Sequence, residues 1–202
     1  MVDEIEECLN LGAEEIHFVD DTFNVLPARV IDICEEISKR KLKFRWSIRG
    51  RVDMISQEML FKLKKSGCGR IHFGVETSSN QGLEQLKKGI TVEQIKKVFK
   101  WTRQIGIITV TYFIIGCPHE KKKEDTLKTI DFAIQIDPDF ALFNVLAVYP
   151  GTDLYEESLR RGIFKGDPWI EFVRQPHKYF AIPVWREQFC RRELFSLLNL
   201  AY

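Results

Sequence analysis

The 202-residue chain has no long apolar run. Its longest, around ITVTYFIIG (108–116) and FALFNVLAV (140–148), are about half the ~20 residues that a membrane-crossing helix needs. It has no excess of charge of either sign. The formal net charge is +1, so nothing in the balance asks for nucleic acid or an anionic membrane surface as partner. The N-terminal MVDEIEECLNLG lacks the basic start and apolar centre of a signal peptide, and the expected location is cytoplasmic. Cysteine is sparse and scattered. No pair among Cys8, Cys34, Cys68, Cys117 and Cys190 has zinc-ribbon spacing, and no three form a compact iron–sulfur run. An odd number in a reducing compartment argues against a disulfide framework, so most read as small buried hydrophobes. There is no low-complexity segment and no internal linker.

What is present is a rhythm. Five short runs rich in β-branched and aromatic residues fall at 15–20, 43–49, 70–76, 108–116 and 140–149, with segments of helical periodicity between them. VIDICEEISKRK places Val30, Ile33, Cys34 and Ile37 on one face. Ser56 starts a helix that Gly67 ends, and Thr91 with Gln94 forms a capping box for a helix stopped by Gly106. A further helix over 122–136 stops at Asp137-Pro138. Regular strand–helix alternation predicts a parallel sheet. Successive strand starts lie roughly 30 residues apart, the unit size of a (β/α)8 barrel. The expected fold is therefore an α/β partial TIM-like barrel of about five parallel strands, spanning 1–165. Because the chain opens on a helix (Val2 to Leu11), a first strand is expected to be missing. The edge left on the 15–20 strand then predicts self-association through it. After Gly162 the rhythm dissolves. Residues 166–202 read as an extension, loop-like through Pro168, Pro176 and Pro183 and ending in a helix over 190–202.

Ligands of parallel α/β sheets sit beyond the carboxyl ends of the strands. Those ends carry Asp20-Asp21-Thr22, Arg49-Gly50-Arg51, Gly74-Val75-Glu76-Thr77, Gly116-Cys117-Pro118-His119-Glu120 and Tyr149-Pro150-Gly151-Thr152. Carboxylates suit an ammonium group or a diol, arginine forks suit a carboxylate, and glycines let backbone approach a flat ring. The set suits a zwitterionic ligand bearing hydroxyls. Each residue also has a plain reading: Asp20 and Asp21 as turn residues, Arg49 and Arg51 as surface ion-pair partners, Glu76 as a cap for the helix near Ser79, the glycines as turn formers. His17 and His72 occupy matching places in two IHF repeats. With Glu76 or another carboxylate they leave open a metal-dependent barrel hydrolase, although a strand histidine is more often a core residue. The Lys121–Lys123 run and the Arg160-Arg161 and Arg191-Arg192 pairs read as solvated faces.

Together, EIHFVDDTFNV, IRGRVDMI, LKKSGCGRIHFGVETSSNQGLEQLKKGIT, GIITVTYFIIGCPHEKKKEDTLKTIDFA and YPGTDLYEESLRRG resemble the radical S-adenosylmethionine (radical SAM) superfamily. The likeness is closest to its cobalamin-binding branch of methyltransferases and the anaerobic Mg-protoporphyrin cyclase. It is strong over 1–165 and weaker beyond. The resemblance implies a partial (β/α)6 barrel, a [4Fe–4S] cluster held by a C-x3-C-x2-C loop after the first strand, and reductive cleavage of SAM to a 5′-deoxyadenosyl radical. None of the five cysteines transfers onto that loop, so the chain is expected to hold no cluster and to be an inactive fragment of a larger enzyme. The resemblance assigns Asp20, Asp21 and Thr22 to the methionine amino group, Arg49 or Arg51 to its carboxylate, Glu76 to the ribose and methionine moiety, and Gly116 with Pro118 to the turn beside the adenine. His119 stands where the family has glycine, and Glu120 is kept. No metal ligand is expected in the chain. A non-catalytic binding or scaffold protein of the same fold is the alternative from another class. The substrate of the parent reaction is not indicated.

Overall fold

A computed structural model describes residues 1–202. Five parallel strands form one sheet in the order β1-β2-β3-β4-β5, the arrangement of an α/β partial TIM-like barrel. They are β1 (Glu15–His17), β2 (Arg45–Gly50), β3 (Cys68–Glu76), β4 (Ile108–Ile115) and β5 (Phe140–Val145). The first three helices are α1 (Val2–Asn10), α2 (Pro27–Lys39) and α3 (Gln57–Lys65). A short α4 (Asn80–Gln85), then α5 (Val92–Ile105) and α6 (Lys123–Ile136), follow. The last three are α7 (Asp153–Arg160), α8 (Pro168–Arg174) and α9 (Arg191–Asn199). The chain divides into two compact units, one of residues 1–113 with 131–142, the other of residues 114–130 with 143–202.

In the first unit, local chemistry and packing agree. Ser56 accepts from Met59 N to open α3, and Thr91 and Gln94 form the expected capping box on α5, which Gly106 closes. Helix α2 buries Val30, Ile33, Cys34 and Ile37, the face its periodicity marks. Strand β2 is buried through Trp46, Ser47 and Ile48, and β3 buries alternate residues Ile71, Phe73 and Val75. Alternation therefore sends Arg70, His72, Gly74 and Glu76 to the other face. Fully buried Trp46 anchors the core: its indole N–H donates to Ser66 O at 2.9 Å, and Phe18 and Phe23 pack against its ring. Phe18 turning onto Trp46 coincides with the early end of β1. The strand stops at His17, and Val19 is exposed.

In the second unit, two segments differ from expectation. Strand β5 stops at Val145; Leu146 N still donates to Ile115 O of β4, but its carbonyl accepts from Trp185 N, and Val148 N donates to Pro183 O. The stretch read as loop-like contains α8. Asp167 accepts from Trp169 N and Ile170 N, and Pro168 sits in the first turn, where its missing N–H costs nothing. The signal is easily missed because α8 is only seven residues long and buries none of them fully, although Trp169 and Phe172 pack on Phe180.

Candidate functional site

The turn after β2 is built first by a buried asparagine. Asn24 donates to Arg51 O at 3.0 Å and accepts from Arg51 N at 2.9 Å, fixing the backbone on which Arg49 and Arg51 stand. Arg51 then reaches across to Lys88 O at 2.6 Å while its guanidinium grips Asp53 through two hydrogen bonds. Exposed Arg49 has no hydrogen-bond or ion-pair partner. Both arginines, with Asp21 and Thr22, line one pocket at the carboxyl ends of the strands. His72, Gly74, Lys88 and Tyr112 complete its polar wall.

Glu76 ends β3 in an unusual way. Its φ is +68°, and the β3–β4 register slips between Gly74 and Glu76. A non-glycine residue in this region is held there by its surroundings. The side chain curls back over Gly74, where Lys88 Nζ meets Glu76 Oε1 at 2.8 Å. A Cβ on Gly74 would lie 2.5 Å from that carboxylate oxygen and 3.0 Å from the ammonium. Glycine at 74 therefore makes the space in which the pair sits. The helix-capping reading of Glu76 is replaced: Ser79 caps α4, accepting from Gly82 N.

Deeper along the same face, His72 Nδ1 lies 2.8 Å from Tyr112 Oη, with the two rings stacked at 5.9 Å. His17 sits beside them, ring centroids 5.3 Å from His72, and its Nδ1 lies 2.8 Å from Ser47 Oγ. Burial, then the nearby His17, Arg70 and Arg49, push the His72 imidazole down to about 4. It is neutral at physiological pH. No group of three or more His, Cys, Asp or Glu side chains gathers as a metal site, so the geometry a two-histidine, one-carboxylate hydrolase requires is not formed.

Of the residues marked from the sequence, Asp21, Thr22, Arg49 and Arg51 come together in this pocket, and Glu76 joins through Lys88. Asp20 instead meets Arg29 at 3.5 Å. Gly116 and Pro118 belong to the second unit. There Gly116 takes φ +78°, and the buried Glu120 accepts from Gly116 N at 2.5 Å and Cys117 N at 3.0 Å. Burial pushes the Glu120 carboxyl up to about 7 against those two donors. Lys88 and Tyr112 were not marked. Lys88 lies twelve positions after Glu76 in LKKGIT, a spacing that only the intervening α4 makes meaningful.

A family model described as the radical SAM superfamily matches residues 1–133. The chain belongs to the radical SAM superfamily. Across 95% of its length this radical SAM chain is 34% identical to an uncharacterised methyltransferase of Pyrococcus horikoshii, of which it spans 40%. It is 30% identical over 78% of its length to the anaerobic magnesium-protoporphyrin IX monomethyl ester cyclase of Rubrivivax gelatinosus, spanning 29% of that protein. The fold matches the radical SAM methyltransferase TsrM of Kitasatospora setae, solved with cobalamin and a [4Fe–4S] cluster. The TM-score is 0.72 at 22% identity, over 79% of this chain and 31% of that one. The chain thus spans well under half the length of these relatives. Membership implies SAM and a [4Fe–4S] cluster for the family. The cysteines here do not fit a cluster: Cys8 and Cys190 are exposed, Cys34, Cys68 and Cys117 are buried, and no three of them gather. Burial raises the Cys68 thiol to about 12, the opposite of what a thiolate ligand needs. No helix is long and apolar enough to cross a membrane.

Proposed function

We propose that these residues are the SAM-binding portion of a larger radical SAM enzyme, one of the cobalamin-dependent methyltransferase or cyclase type. The observation that carries this reading is the Glu76–Lys88 pair laid over Gly74 beside the unpartnered Arg49. An internal ion pair of this kind is a template for a zwitterion. The ligand's ammonium takes the place of Lys88 Nζ on Glu76, and its carboxylate is held by Lys88 with Arg49 or Arg51. Asp21 and Thr22 supply acceptors for hydroxyl groups. The donor set therefore fits the methionine end of SAM. In the parent enzyme SAM is cleaved reductively; the part of these residues is to orient it. The likeness to methyltransferases across almost the whole chain supports the methyl-transfer class, and the location proposed for the enzyme is cytoplasmic.

Calorimetric titration with SAM tests the reading. Binding is expected, with a loss of about 100-fold in Lys88→Ala, whereas adenosine, which lacks the amino-acid end, binds both proteins alike. Equal SAM affinity in the two proteins overturns it. The separation of the cysteines favours a second reading, a SAM-binding protein of this fold that performs no radical chemistry. Anaerobic iron and sulfide reconstitution of the gene product with its upstream sequence separates the two: a SAM-sensitive cluster signal supports the enzyme, and its absence the binding protein. We further propose self-association through the β1 edge, which analytical ultracentrifugation reads as a dimer.

A further inference from the structure

The concave face holds a second chemical device next to the ion pair. His72 Nδ1 and Tyr112 Oη are in hydrogen-bond contact at 2.8 Å, and both side chains line the pocket. The face of a parallel sheet that carries them is ordinarily filled by branched apolar residues. Here it carries Arg70, His72, Tyr112, His17 and Ser47 instead; only Ser47 is fully buried, so the face is polar and open to a polar ligand.

A neutral imidazole bonded to a phenol has a particular property. The pair owns two mobile protons, one of which lies in the hydrogen bond between them. If Tyr112 donates to Nδ1, the pair offers the pocket an Nε2–H donor and a phenol oxygen acceptor. If Nδ1–H donates to Tyr112, it offers an Nε2 acceptor and a phenol O–H donor. Either way the pocket meets one donor and one acceptor, and moving both protons exchanges them. A proton leaves a ligand N–H or O–H for Nε2, the Nδ1 proton passes to the Tyr112 oxygen, and the phenol proton passes to a second ligand atom. Every atom ends neutral, and the ligand is converted to its tautomer.

The surroundings favour this neutral exchange over ordinary base catalysis. The charged groups that act most on His72 are cationic or can become so: His17 from β1, Arg49 from β2 and Arg70 from β3; across the pocket Lys88 is matched by Glu76, and the Asp21 carboxylate also lines the wall. Arg70 is itself engaged by Glu15 at 2.7 Å. These groups oppose a full positive charge on the ring, so His72 is a poor free-standing base at neutral pH. They place no such obstacle in the way of a transfer that creates no charge. Ser47, meeting His17 Nδ1 at 2.8 Å, fixes the neighbouring ring against which His72 packs.

We propose that the His72–Tyr112 pair is a bifunctional, tautomer-exchanging contact for the second ligand of this pocket, a neutral molecule of lactam or amide-like heteroaromatic type carrying one donor and one acceptor. The proposal rests on the pocket being the ligand site, and its test is built to separate the two. The probes are 2-pyridone, its N-methyl derivative, which lacks the donor, and benzoate, an anion. The readout is the pair of His72 ring nitrogen resonances in 15N-labelled protein near pH 7. The expected result is that 2-pyridone moves the two nitrogens in opposite directions, the signature of a shifted tautomer balance, while N-methyl-2-pyridone leaves them in place. In Tyr112→Phe the opposed shift is lost and 2-pyridone binds at least 10-fold more weakly. The idea is overturned if benzoate binds and moves both nitrogens together toward imidazolium, or if both pyridones act alike. The pyridone comparison uses the unaltered protein and stands even where the variant folds poorly. SAM titrated into the same samples reads the neighbouring ion-pair site: SAM binding with no pyridone response rejects this proposal alone, and the absence of both rejects the pocket assignment with it.

Discussion

Two ends of the sheet in the first unit carry pockets of similar polarity, and their charged groups behave differently. At the amino ends, Arg103 donates to Ile136 O and Asp137 O and meets the Asp137 carboxylate at 2.9 Å. Asp139 accepts from Thr109 N at 2.8 Å and from its hydroxyl at 3.1 Å, and Lys64 donates to Gly106 O at 2.5 Å. Each charge there ties one chain segment to another. At the carboxyl ends Arg51 likewise ties its turn to Asp53 and Lys88 O, but Arg49 has no partner, the Lys88 ammonium is paired only with Glu76, and His72 and Tyr112 are bonded to each other. Charge alone does not mark a site. What sets the carboxyl ends apart is Arg49, a charge that the fold itself does not use.

The comparison can be broken by substitution. The largest expected effect is from Lys88→Ala, which removes the cation paired with Glu76: about 100-fold weaker SAM binding, on the order of 2.7 kcal/mol, by calorimetry. Stability should change little, because the pair is partly exposed. Asp139→Ala is the mirror image. It leaves Thr109 N, in a buried residue, without its acceptor and should destabilise by about 2 kcal/mol in urea unfolding, with SAM affinity unchanged. A change in affinity there would erase the distinction between the two ends. Gly74→Ala drives a methyl group into the space of the Glu76–Lys88 pair. Flexible side-chain ends can move aside, so folding survives and affinity falls about 10-fold, or roughly 1.4 kcal/mol. Arg49→Ala is the mildest. An exposed cation contributes a few-fold at low salt, and the difference should fade as ionic strength rises toward 1 M.

Much of this was legible in the sequence where the information is local. The capping residues Ser56 and Thr91, the buried face of α2 and the alternation in β3 are all short-range patterns, and each appears as expected. The rule that ligands gather at strand ends pointed to Asp21, Arg49 and Arg51, which line one pocket and which we propose as part of the SAM site. It could not separate Asp21 from Asp20, because which of two adjacent carboxylates turns toward Arg29 depends on where α2 lies. Lys88 was invisible because α4 carries it back to β3 across twelve residues. Tyr112 was invisible because its meaning comes from His72 on the neighbouring strand, 40 positions away. Helix α8 escaped notice because it is only seven residues long and lies among prolines, although Asp167 caps it and Trp169 and Phe172 pack on Phe180.

The most direct test of the central claim is to map SAM onto the protein by backbone and side-chain amide chemical shifts. The account predicts that the perturbed residues cluster at Asp21–Thr22, Arg49–Arg51 and Gly74–Lys88, with Gly106 and Asp139 unmoved. Perturbation centred on Gly106 and Asp139, or a folded protein whose spectrum does not respond to SAM, would contradict it.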